Sequence, residues 1–156
     1  MIKIASKPRY YEVCIGDDKI KYYWNFKLLP SSFSAITLFG RVYSVLSKDD
    51  LYKFLNTKPG AIQANHERIH ILQARSMKLG YVSFYVLYIY YFLKNLCKEF
   101  FIDSKSFKNK SFFYKLQKNS LSAYYKIPFE QEAYTNQNNF EYYLNSLSED
   151  TKIKDI

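Results

Sequence analysis

The first 46 positions read as extended structure, built of runs rich in β-favouring residues, and helical segments follow them. Tyr10-Tyr11-Glu12-Val13-Cys14-Ile15 and Lys19-Ile20-Lys21-Tyr22-Tyr23-Trp24 are rich in β-favouring side chains and flank Gly16-Asp17-Asp18. That pattern predicts two strands joined by a turn. Pro30-Ser31-Ser32 breaks the chain before Ala35–Phe39 and Arg41–Val45, two further extended runs separated by Gly40, which marks a bulge or a tight turn. Ser47 followed by Asp49 and Asp50 predicts a helix start, with a serine N-cap and acids in the first turn. The helix would continue through Leu51, Phe54 and Leu55 and stop near Pro59-Gly60. A second helix is expected over Ala61–Leu79, ending at Gly80 as its C′ residue.

From Gly80 to Leu93 there is no charged residue. This run is shorter than the roughly 20 residues that cross a bilayer. It also carries Tyr81, Tyr85, Tyr88, Tyr90 and Tyr91, which suit a core edge or a headgroup interface. Tyr81–Phe101 is therefore expected to be a buried core helix, with peripheral membrane contact as the competing reading. Asp103–Ser120 is polar and lysine-rich and is expected to form a loop or a partly helical insertion. A last helix starts at Ile127-Pro128-Phe129-Glu130, where proline fits the first helical position because its missing N–H would have no acceptor there.

These elements predict an α+β, mainly helical fold with a small N-terminal antiparallel sheet. At 156 residues the chain is long enough to bury one core, so a single domain is expected. Its strand-rich part would be residues 1–46, its helical part 47–146, and 147–156 a disordered tail. One residue in five is aromatic and Gly and Pro number four each, a composition that excludes a disordered or solenoid chain. The net charge of +9 suits nucleic acid or an anionic membrane surface. The lysines are scattered, however, apart from Lys105, Lys108, Lys110, Lys115 and Lys118. Most are expected to form a solvated face, so no nucleic-acid partner is expected. Cys14 and Cys97 are too few for a disulfide framework, and the N-terminus has no apolar run of signal-peptide length. A cytoplasmic location follows as the expectation, with the aromatic helix as a route to membrane association.

The chemistry concentrates in Asn65-His66-Glu67-Arg68-Ile69-His70-Ile71-Leu72-Gln73, which holds both histidines of the chain. Helical spacing puts His66 and His70 one turn apart on one face, where they can bind a single metal ion. Glu67 then lies beside that face, placed as the catalytic base for water acidified by Zn²⁺. Ile62, Ile69, Ile71 and Leu72 fit a largely buried helix, where an unpaired imidazole or carboxylate would be costly. The bland alternative makes the histidines ordinary core or surface residues and pairs Glu67 with a lysine. Downstream, Glu130 is the favoured third metal ligand, since Ala133 on the same face permits close helix packing. Glu132 is the alternative ligand, but it points roughly 200° around the helix from Glu130. Gln73, one turn beyond His70, is a candidate cleft residue.

Two motifs together carry a resemblance: His66-Glu67-Arg68-Ile69-His70 and Ala123-Tyr124-Tyr125-Lys126-Ile127-Pro128-Phe129-Glu130-Gln131-Glu132-Ala133-Tyr134. Over Ile36–Glu141 the chain resembles a family of small bacterial proteins common among the Bacteroidetes. Those proteins carry a zincin motif followed by a Pro/Ser-Phe-Glu-x-Glu-Ala-Tyr element. More distantly the chain is similar to gluzincin metallopeptidases, whose Glu-x-x-Ala-Asp element supplies the third zinc ligand. The resemblance implies a zincin-like helix pair, a zinc ion held by His66, His70 and Glu130, and Glu67 as general base. It also implies a peptide or protein substrate. Tyr134 is one of many candidate phenols for stabilising the transition state or supporting the ligands. Tyr134 stands where the gluzincins have Asp, and Tyr91 where the small family often has Glu. Competing readings are a zincin-like protein that binds metal or a partner without hydrolysis, and a basic membrane-surface or RNA-binding module.

Overall fold

The hairpins follow from their turns. In the computed structural model, which describes residues 2–28, 35–103 and 112–142, Ile15 pairs with Asp18 across a two-residue turn. Gly16 takes φ 57° at its first position, which a side chain would strain, as a type II′ turn requires. The turn joins β2 (Tyr11–Ile15) to β3 (Asp18–Tyr23). Leu38 and Arg41 close a second tight turn between β4 (Ala35–Leu38) and β5 (Arg41–Ser44). Here Phe39 and Gly40 both have positive φ, 49° and 75°, so Gly40 marks a type I′ turn and not a bulge.

With β1 (Lys3–Ser6) these strands form one five-stranded sheet in the order β1-β2-β3-β5-β4. Every neighbouring pair is antiparallel except β3 and β5, which run parallel. The sheet is thus mixed and not wholly antiparallel, because β4 takes the far edge and β5 returns into the gap beside β3. Alternation divides the sheet into two faces. Tyr11, Val13, Ile15, Ile20, Tyr22 and Val42 are buried and pack with Leu51 and Leu55 of α1 (Lys48–Leu55) and with Ala64 and Ile71 of α2 (Lys58–Ser76). Ser47 caps α1, its Oγ accepting from the Asp50 backbone N–H at 3.2 Å. These elements and the described residues from Asn136 to Tyr142 make one of two compact units.

Pro59 and Gly60 lie inside the first turn of α2, where they had been expected to end α1. The first helix ends instead at Asn56, whose amide donates back to the Tyr52 carbonyl. Gly60 then sits so close to the Phe54 carbonyl that a Cβ would come within 1.9 Å of its oxygen. Glycine is needed for that approach, not for a chain break. At the other end α2 stops at Ser76, and Gly80, with φ 55°, accepts from the Phe84 N–H at the start of the next helix.

The second unit, Met77–Thr135, holds α3 (Tyr81–Asp103), α4 (Phe112–Tyr125) and most of α5 (Pro128–Asn136). Asn95 of α3 donates to the Ala123 carbonyl, and Lys126 pairs with Glu99. Phe129 receives Phe84, Tyr88 and Tyr91 around its ring, with centroids 5.0, 6.5 and 6.1 Å away. Only one face of α3 is covered in this way. Val82, Val86, Ile89 and Leu93, spaced four, three and four apart, are each more than half exposed, which corrects the expectation of a buried core helix. Among the described residues no helix is long and apolar enough to cross a membrane. Residues 112–120, within the expected insertion, are helical. Lys105, Lys108 and Lys110 lie outside the described residues, as do Pro30-Ser31-Ser32 and the expected tail 147–156.

Candidate metal centre

Helix α2 is buried on all sides from Ala64 to Ile71, which is unusual for a stretch holding five polar side chains. Each must find partners, and the structure shows them. Asn65 donates to the Gln137 and Asn139 carbonyls, both at 2.9 Å. Arg68 donates through Nε to Asp18 at 2.6 Å and through Nη1 to Asn65 Oδ1 and the Tyr142 carbonyl. Glu67 accepts from Thr37 of β4 at 2.5 Å and from Gln63 one turn earlier at 2.6 Å, one bond to each carboxylate oxygen. Hydroxyl and amide donors therefore hold Glu67, not the lysine of the bland alternative.

His66 and His70 face each other edge to face, their Nε2 atoms 3.1 Å apart. Gln73 Oε1 lies 2.9 Å from His70 Nδ1. With that oxygen accepting, Nδ1 carries the proton and Nε2 keeps its lone pair for a ligand. Two nitrogens bound about 2.05 Å from one tetrahedral ion stand roughly 3.3 Å apart. The imidazole pair is therefore already at ligand spacing.

Glu130 is the third residue of α5, where the helix dipole favours a carboxylate. It is almost fully buried and accepts from the Tyr88 hydroxyl at 2.7 Å. Burial and the neighbouring Glu130 charge raise both flanking phenols. Tyr124 goes far above its ordinary range and Tyr134 is pushed up to about 12. Both phenols therefore stay neutral donors at physiological pH.

The ligand atoms of His66, His70 and Glu130 lie within 4.8 Å of one another, and all three residues are buried. Two imidazoles and a carboxylate are a donor set that suits zinc, so the residues present could hold a metal ion. Glu132 is not part of this group and is only half-buried. Tyr134 is more than a third exposed and packs against Tyr125. Sequence reasoning named the three grouped residues but missed Thr37, Gln63, Tyr88 and Tyr124, and it did not see Gln73 as the partner of His70. Of these only Gln63 and Gln73 left a trace in the chain, at i−4 from Glu67 and i+3 from His70. Tyr22 was missed too. It is buried, its hydroxyl has no hydrogen-bond partner among the described residues, and burial together with the Glu67 charge holds its pKa well above the usual phenol value.

Comparison with known proteins returns no match to this chain, whether among protein-family models, curated proteins or solved structures.

Proposed function

We propose that this protein is a gluzincin-like, zinc-dependent metallopeptidase that hydrolyses amide bonds in a peptide or protein. The observation that carries this reading is the buried grouping of His66, His70 and Glu130, with the Glu67 carboxylate next in sequence to the first of them. His66, His70 and Glu130 would hold the metal. Bound there, zinc acts as a Lewis acid towards the substrate carbonyl and lowers the pKa of water to about 7. Glu67 takes the proton of the attacking water and passes it to the leaving amine. Thr37 and Gln63 fix the carboxylate for that transfer, one bond to each oxygen. Gln73 fixes the tautomer of His70. β4 is an edge strand and carries Thr37, so an extended peptide that pairs with it is brought alongside Glu67. The free Cys14 and Cys97 are consistent with a reducing, cytoplasmic setting.

Metal analysis combined with one substitution tests the reading. The purified protein should carry one zinc per chain, and His66→Ala should lose it. Glu67→Gln should keep the zinc and abolish cleavage of a broad peptide library. If wild type and Glu67→Gln both bind zinc and both leave the library intact, the hydrolase is excluded and a metal-binding protein without hydrolysis remains. No zinc in the wild type removes both.

A further inference from the structure

The face of the sheet turned away from the core has an order of its own. Register places Lys3, Cys14 and Lys19 in one cross-strand row, and Ala5, Glu12, Lys21, Arg41 and Leu38 in the next, about 7 Å along. In the third row Tyr23 and Tyr43 are register partners, and Tyr10 continues the line beside Tyr23. Ring centroids run Tyr10–Tyr23 at 5.5 Å and Tyr23–Tyr43 at 5.1 Å, and Phe26 adds a fourth ring 5.1 Å from Tyr43. Lys3, Lys19, Lys21 and Arg41 are exposed, and the four rings are half-buried, so part of each reaches solvent.

Two features distinguish this face from an ordinary solvated one. Lys21 and Arg41 are direct cross-strand partners, a like-charge juxtaposition that costs the sheet stability, with Glu12 opposite Lys21 on its other side and the Tyr10 ring 5.2 Å from its Nζ. Against four cations the described residues of this face offer a single carboxylate, Glu12. The aromatic row directly beside the cations is the second feature. Cations in line with a row of half-buried rings match a polymer that alternates phosphates with planar faces, and only unpaired bases can turn those faces to the rings.

We propose that the open sheet face, through Lys3, Lys19, Lys21 and Arg41 and the Tyr10–Tyr23–Tyr43–Phe26 row, binds single-stranded nucleic acid. The cations take phosphates and the aromatic row stacks bases. None of these residues belongs to the proposed metal centre, and the binding needs no metal.

Fluorescence anisotropy of the full chain with a labelled single strand of about 12 nucleotides tests it, since small folds cover roughly 4–16. RNA and DNA versions and the matching duplex form the comparison. Four phosphate contacts give a log–log salt slope near −2.8, so binding should weaken about fifty-fold between roughly 50 and 200 mM KCl. The double variant Lys21→Glu/Arg41→Glu alters two exposed side chains. It should flatten the slope by about 1.4 and weaken binding at low salt at least tenfold, with the far-UV circular dichroism spectrum unchanged. Tyr43→Leu keeps apolar bulk but removes the ring face, and should weaken single-strand binding about tenfold while leaving the slope alone. The proposal is overturned if neither single strand binds at low salt, or if the double variant binds as tightly as the wild type. Equal binding of duplex and single strand, or no effect of Tyr43→Leu, overturns it as well, because charge alone would then account for the binding.

Discussion

Arg68 sits between the two histidines on α2 and is fully buried, which makes its partner on the sheet the most informative stability test. Its Nε donates to the Asp18 carboxylate at 2.6 Å, and the Asp18 side chain is 19 % exposed against 1 % for Arg68. Asp18→Ala removes a carboxylate bonded to a guanidinium that remains in the interior. Losing one partner of a buried pair costs about 3–5 kcal/mol, mostly the penalty of an uncompensated charge. Asp18 is partly open to water, which trims the figure to about 3 kcal/mol, or roughly 6–12 °C in Tm for a chain of this size. Urea unfolding should show a lower midpoint with an unchanged slope. Arg75 also reaches Asp18, at 3.5 Å, but its side chain is 55 % exposed, so Arg75→Ala should change stability by less than about 0.5 kcal/mol. In a double-mutant cycle with Arg68→Met, the pair should cost less than the sum of the singles, since no lone buried charge is left. A loss below about 1 kcal/mol for Asp18→Ala, or an equal loss for Arg75→Ala, would refute the idea that a desolvated pair anchors α2 to the hairpin turn.

Two more substitutions probe the same unit. Gly60→Ala drives a Cβ against the Phe54 carbonyl oxygen and the Leu55 Cα, backbone atoms that cannot swing aside. It should cost about 3 kcal/mol, and a thermal midpoint equal to the wild type would show that the α1–α2 approach is not tight. Tyr22→Phe removes a buried hydroxyl that has no hydrogen-bond partner among the described residues and should raise stability by about 1 kcal/mol at neutral pH. The gain should widen above pH 10. There the unfolded phenol ionises while burial keeps Tyr22 protonated in the native state, so the native state binds more protons and wild-type stability falls as pH rises. Parallel pH–stability curves for the two proteins would contradict this.

Much of the fold was legible because local physics dictated it. The Gly16 and Gly40 turns, the Ser47 cap and Pro128 at the head of α5 each depend on a few neighbouring residues and came out close to where the chain suggested. The errors have one origin. Pro59-Gly60 looked like a stop because glycine and proline usually end helices, yet here glycine admits the backbone of another helix. The apolar run in α3 looked like core because composition cannot say which face a neighbour covers, and Val82, Val86, Ile89 and Leu93 remain open. The parallel β3–β5 pair has no sequence marker, since strand order is set by how the chain crosses the sheet.

By itself the sequence determined the element types, the helical spacing of His66 and His70 with Glu67 beside them, and Glu130 in a first helical turn, because periodicity and capping act over a few residues. Only the tertiary structure decided which distant groups meet. It gathered His66, His70 and Glu130 within ligand reach, set Thr37 on Glu67 and Tyr88 on Glu130, and aligned Lys3, Lys19, Lys21 and Arg41 beside a row of rings. Those meetings span tens of residues, and burial and strand register, which no local window contains, fix them.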